Sequence, residues 1–183
     1  MYPSGQARPT ASSLNFVPGE TIANLVVVQV GSGQKVSVFN FAGSTDIVAD
    51  VVGYFDDGSG AAPVLFTPVV PARVLDSRNG TGGFSTPWAP GQSRDLVVAG
   101  AAGVPANASA VVLNVTVTNP TSPGFVTVWP SGVARPTASN VNFVPGETIP
   151  NLVVVQVGST PMVSLFNFAG SADIVADVVG YYR

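Results

Sequence analysis

The densest charged cluster in this chain is Arg73, Asp76 and Arg78, two guanidiniums around one carboxylate within six residues. Such a group can recognise a carboxylate or sugar hydroxyls. It can also brace a loop through charge-assisted, forked hydrogen bonds. Asn79-Gly80-Thr81-Gly82-Gly83 comes directly after it, and a stretch so free in its backbone needs anchors. Bracing is therefore the expected role. Asp50 and Asp177 each stand in a run of Val and Ala. A carboxylate buried in such a run is costly unless paired, so Arg73 or Arg78 is the expected partner of Asp177, and Asp50 belongs to the same structural class.

Other chemistry is thin. The chain has no His and no Cys. That removes the commonest general base, the usual triad base, the commonest zinc ligand and any disulfide framework. Gly80-Thr81-Gly82-Gly83 lacks the following Lys and helix of a phosphate-binding loop. Asp56-Asp57-Gly58-Ser59-Gly60 offers clustered oxygens of the kind calcium prefers, but it matches no loop of defined spacing and reads as a solvated linker with Ala61-Ala62-Pro63. Trp88 and Trp129 could present faces to a sugar, although aromatic side chains more often serve burial. Lys35 is the sole lysine, and its equivalent in the second copy of an internal repeat is Met162, so a lysine cross-link is not expected. The residues predict no catalytic group, no metal, no cofactor and no enzymatic activity.

That repeat organises the chain. The segment Asn-Leu-Val-Val-Val-Gln-Val-Gly starts at Asn24 and again at Asn151. Residues 2–54 match residues 129–181 at roughly four positions in five, without a gap, at an offset of about 127. Residues 61–128 differ in sequence, although Pro90-Gly91-Gln92 with its trailing apolar run parallels Pro145-Gly146-Glu147 with its own. The order is thus C-half, N-half, C-half of one longer repeat: residues 1–60, 61–128 and 129–183. Met1 leads straight into Tyr2-Pro3-Ser4-Gly5 with no signal peptide, and reads as a start codon placed on an excised segment.

Short β-branched runs between Gly, Pro and Asn turns predict strands throughout and leave no room for a helix. In the first copy these fall at 13–17, 24–30, 36–41 and 46–54. The middle segment gives strands at 95–99, 110–118 and 124–129, with Asn119-Pro120 and Pro123-Gly124 read as the hairpin between the last two. Val111, Leu113, Val115 and Val117 alternate with polar neighbours, the mark of one dry and one wet face. The strands at 151–157 and 173–181 are apolar on both faces, which predicts cover on both sides or an exposed patch that marks an interface.

Several motifs in this order are similar to a repeat module of secreted and cell-surface proteins of actinobacteria. They are Pro71-Ala72-Arg73-Val74-Leu75-Asp76-Ser77-Arg78, Gly103-Val104-Pro105, Ala110-Val111-Val112-Leu113-Asn114-Val115-Thr116 and Gly124-Phe125-Val126-Thr127-Val128. Arg135-Pro136, the Asn140 to Phe143 stretch, Asn151-Leu152-Val153 and Ala176-Asp177-Val178-Val179-Gly180-Tyr181-Tyr182 complete the set. The resemblance covers the whole chain, as one complete module after the second half of another. It implies a β-sandwich, used in tandem or appended to secreted hydrolases, with no catalytic residues. Asp46 and Asp173 stand where that family typically has His.

Apolar residues make up 46% of the chain and charged residues 9%, with a net charge of −3. The scarcity of basic residues excludes a nucleic-acid footprint and attraction to an anionic membrane surface, and no apolar run is long enough to span a bilayer. The expected fold is all-β: an antiparallel β-sandwich built from repeated four-stranded halves, or else a pseudo-three-fold barrel or prism of twelve strands. The expected function is a non-enzymatic, extracellular or cell-surface structural or adhesive module, a spacer or assembly unit. Residues 1–60 would be completed within the chain or by another molecule, through self-association or a neighbouring repeat. The rival reading is a carbohydrate-binding accessory module that uses Trp88 and Trp129 on polysaccharide or cell wall.

Overall fold

Residues 1–55 and 64–183 are described by the structure, a computed structural model. The linker read at 56–63, and its calcium alternative, lie outside the described residues. Contacts divide the chain into two units, Met1–Glu20 with Asn24–Asp50, and Thr21–Ala23 with Val51–Arg183.

The larger unit is an antiparallel sandwich. Its strands are β3 (Phe66–Asp76), β4 (Ser93–Val97), β5 (Ala110–Thr118), β6 (Gly124–Pro130), β7 (Val141–Phe143), β8 (Ile149–Gln156), β9 (Met162–Asn167) and β10 (Asp173–Tyr182). They form two four-stranded sheets, ordered β3-β10-β5-β8 and β4-β9-β6-β7. Leu113, Val115, Ile174, Ala176 and Val153 of the first sheet and Leu96, Val126, Val141, Val163 and Leu165 of the second share one core. The central strands β5 and β10 contain no proline, whereas edge strands β3 and β8 carry Pro68, Pro71 and Pro150, where a missing N–H is tolerated.

The two halves do not form one sheet each. They interleave. Strand β10 lies between β3 and β5, β8 pairs only β5, and β9 lies between β4 and β6. No two strands lying wholly within 131–183 are neighbours. Every ladder of the C-half is thus completed by the N-half or by β6, which spans the junction. The twelve-stranded alternative is not what forms: both four-stranded sheets are drawn wholly from residues 66–182. Nor is the connection at 119–123 a hairpin, because β5 and β6 belong to different sheets and the segment crosses between them.

Burial follows the two-residue alternation along β5, with Val111, Leu113, Val115 and Val117 fully inside. The expectation that β8 is covered on both faces does not hold. Val153 and Val155 are buried, but Leu152 on the opposite face is 41% exposed, as befits an edge strand of a two-layer fold. Strand β10 is better covered because it is central. A register shift between Val178 and Gly180 lets both Val178 and Tyr181 reach the core.

The first copy behaves differently. In it the only strand pair among the described residues is β1 (Tyr2–Pro3) with β2 (Val36–Ser37), the remnant of the strand expected at 36–41. Beside it lies a 3-10 turn at Ser32–Gln34, closed by a Gly31–Lys35 bridge. The strands expected at 13–17, 24–30 and 46–54 do not form, though their counterparts are β7, β8 and β10. The reason is the interleaving. A C-half holds no partners for its own strands, and an extended segment without a ladder is not a strand. What survives is the piece of ladder that is internal to the copy. Tyr2 pairs Ser37 and Pro3 pairs Val36, the same register in which Trp129 pairs Ser164 and Pro130 pairs Val163.

Candidate functional site

The charged cluster sits where β3 runs beside β10 and then turns into the Gly-rich loop. Opposite each other in the ladder, Arg73 and Asp177 form a forked pair, with Nε and Nη2 donating to the two carboxylate oxygens at 2.9 and 3.2 Å. Arg73 Nη1 also donates to Asp76 at 3.1 Å. Arg78 forks onto the other side of Asp76 through Nε and Nη2 at 2.8 and 2.7 Å, and its backbone N–H donates to the same carboxylate at 3.1 Å. Asp76 is 1% exposed, while both arginines keep about half of their side chains in water. The Arg78 guanidinium, helped by its backbone N–H and by the charge of both arginines, holds the Asp76 carboxyl far below the usual carboxylate range against the opposing effect of burial. Asp177, above all, raises Arg73.

The same residue fixes the loop. The Asp76 N–H donates to the Thr81 carbonyl at 3.1 Å, and the Asp76 carbonyl accepts from the N–H of Gly80, also at 3.1 Å. Asn79 Oδ1 takes both the N–H and the hydroxyl of Thr81. Gly82 adopts φ +81°, and a Cβ there would come within 2.6 Å of the Val74 carbonyl, so the loop passes too close to β3 for a side chain.

A cleft of about 350 Å³ opens beside this network, lined by Arg73, Thr81, Gly82, Leu96, Val97 and Ala101 among others. Its one charged group is Arg73, already held by two carboxylates. No acid or base faces it. Among the described residues, no group of three or more acidic, His or Cys side chains is placed to hold a metal ion. No helix there is long and apolar enough to cross a membrane.

Both tryptophans, read as possible sugar platforms, turn inward. Trp88 is 0% exposed, donates Nε1–H to the Leu165 carbonyl at 3.2 Å, and lies edge-on to Phe84 with the Arg94 guanidinium 4.4 Å from its ring centre. Trp129 is buried too, with Nε1–H donated to the Val133 carbonyl at 3.1 Å. Asp50, grouped with the brace on sequence, is exposed and has no side-chain hydrogen bond among the described residues. Its counterpart Asp177 is paired because Arg73 stands across the ladder, and among the described residues no strand pairs with the Asp50 segment.

Sequence reading passed over three groups that join the halves. Asp173 accepts from Ser77 Oγ at 2.8 Å and Asn119 Nδ2 at 3.2 Å. Ser164 Oγ donates to Asp95 across the β4–β9 pair. Asn167, fully buried, donates Nδ2–H to the carbonyls of Trp88, Ala89 and Gly170. The available signal was that Asp46, Ser37 and Asn40 repeat these three in the first copy.

Set side by side, the copies separate cleanly. Contacts within a C-half are kept in both. The Asn24 amide reaches the Ser13 carbonyl at 2.6 Å, as Asn151 reaches Asn140 at 2.6 Å. The Val17 N–H meets Glu20 at 2.9 Å, as Val144 meets Glu147 at 3.0 Å. Arg8 covers the Phe39 ring at 3.9 Å, as Arg135 covers Phe166 at 3.7 Å. Asn40 keeps its bond to Gly43, at 3.0 Å, as Asn167 keeps Gly170. Among the described residues, side-chain hydrogen bonds from a C-half to the N-half include those of Asp177, Asp173, Ser164 and Asn167 in the second copy.

Neither a known protein family nor a curated protein matches this chain.

Proposed function

We propose that this chain is a non-enzymatic structural repeat module, a spacer or assembly unit of an extracellular or cell-surface protein. Its motifs resemble the repeat module of actinobacterial secreted and cell-surface proteins, which is the basis for the location. One observation carries the assembly role: residues that the complete module buries are bare in the first copy. Val48 is 87% exposed where Val175 is 4%, and Val51 is 90% exposed where Val178 is 0%. An apolar surface of that extent is a place for another polypeptide surface. The inward placement of Trp88 and Trp129 offers the carbohydrate-binding reading no exposed ring, so the structural reading is preferred.

Sedimentation or light scattering over a concentration series tests the role. Growth of the average mass with concentration supports it. A strictly monomeric particle at the highest attainable concentration removes it.

A further inference from the structure

We propose that residues 2–54 are one half of a split β-sandwich, and that their partner is a polypeptide segment of the N-half type: a stretch with the strand pattern of residues 64–128 that is not already paired to a C-half. This deepens the assembly reading, and rests on it, by naming what the exposed surface takes.

The complete module shows what covers a C-half. Strands β3 and β5 flank β10, β4 flanks β9, and β5 flanks β8. The first copy keeps the internal geometry of a C-half, with the same turn, the same Arg–Phe stack and the same short ladder register. It is therefore shaped for the same neighbours. Three of its polar side chains, without a side-chain hydrogen bond among the described residues, specify them further. Asp50 matches Asp177, which takes an Arg from the first N-half strand. Asp46 matches Asp173, which takes a Ser hydroxyl and an Asn amide. Ser37 matches Ser164, which takes a carboxylate. A generic apolar surface would meet none of these needs.

Copies of this chain alone cannot satisfy the surface. Each brings one N-half and two C-halves, and its N-half is already occupied by 129–181. Exchanging halves between molecules leaves one C-half per chain unpaired, whatever the number of chains. Association of this chain with itself can cover apolar area without filling the pairing slots.

The test extends the full chain by a copy of residues 64–128 placed ahead of Tyr2 in place of Met1, so that the new junction repeats that between Val128 and Trp129. Amide hydrogen exchange is then compared with the parent chain. The expected result is that amides in 24–29, 36–40 and 46–54 slow by at least about 100-fold, approaching those of 151–156, 163–167 and 173–181. A second variant needs no extension. Val178→Asp in the parent disables its own C-half, and protection is expected to pass to 46–54 as the first copy takes over 64–128. Protection in either variant supports the proposal. If 46–54 exchanges as fast in both as in the parent, the proposal is overturned, whatever the scattering experiment shows about self-association.

Discussion

Asp76 accepts four hydrogen bonds from Arg73 and Arg78 while its backbone ties off the Gly-rich loop. Replacing it with Asn keeps the shape and removes the charge that both guanidiniums face. The expected loss of stability is about 2–3 kcal/mol, at or just below the range for a broken buried pair because the arginines remain wet. The pH dependence has a definite sign. A carboxyl lowered in the folded state contributes fully above its unfolded value, near 4, and progressively less as pH falls toward the folded value. Urea denaturation between pH 6 and 2 should thus show the parent losing stability below about pH 4, and Asp76→Asn losing less. A parallel loss in both would contradict this assignment.

Trp88 sets a second test at this scale. Trp88→Phe retains most of the packing but removes the indole N–H bond to the Leu165 carbonyl, which keeps its ladder position opposite Arg94, for a cost of roughly 0.5–1.5 kcal/mol read from denaturant midpoints. A neutral substitution would mean that the indole N–H is not held as described. The Arg–Asp brace was legible in sequence because charged side chains in an apolar, loop-flanking stretch must pair. Burial of both tryptophans was the more expected reading, but the partners of their indole N–H groups were not legible, because a ring in a Pro-rich loop, as at Trp88, has no periodicity to show which way it faces. Nor was the role of Asn167, since an amide declares its partners only once backbone carbonyls are brought to it.

At the level of elements, the sequence of 46–54 is identical to that of 173–181, yet one segment lies in the middle of a sheet and the other pairs with no strand among the described residues. Identical intrinsic propensity gives opposite outcomes because a strand is defined by its neighbours. This is why most strand positions in residues 93–183 could be read from alternation and turns, while the same reading failed for most of the first copy. The longest strand, β3, was not legible as one, because Pro68 and Pro71 argue against a strand and are tolerated only at its edge position. It also explains why the crossing at 119–123 passed for a hairpin: the turn residues mark a reversal, not which sheet the chain enters. A matched pair of substitutions separates the two settings. Val178→Ala should cost about 2 kcal/mol, for lost burial and the cavity left behind. Val51→Ala, the same change in the same local sequence, should fall within about 0.5 kcal/mol of the parent. Equal costs in denaturant unfolding would mean that the first copy is packed like the second.

For the molecule as a whole, the repeat and its closely spaced turns are enough to imply the all-β class and the C-half, N-half, C-half order. They do not imply that the halves interleave strand by strand, since period and alternation say nothing about which strand lies beside which. That interleaving makes a fractional repeat consequential. Had each half been its own sheet, a spare half could have kept its ladders and exposed only a face. Interleaved, it loses almost every ladder and is left with the pairing needs of half a domain.

Amide hydrogen exchange on the unmodified chain tests this most directly, because both copies report in one experiment. Slow exchange at 174–181, governed by unfolding of the sandwich, together with exchange near the unprotected rate at 47–54, is the predicted result. Comparable protection in the two segments would contradict it, since the first copy would then possess neighbours of the kind that only the second copy has in the sandwich.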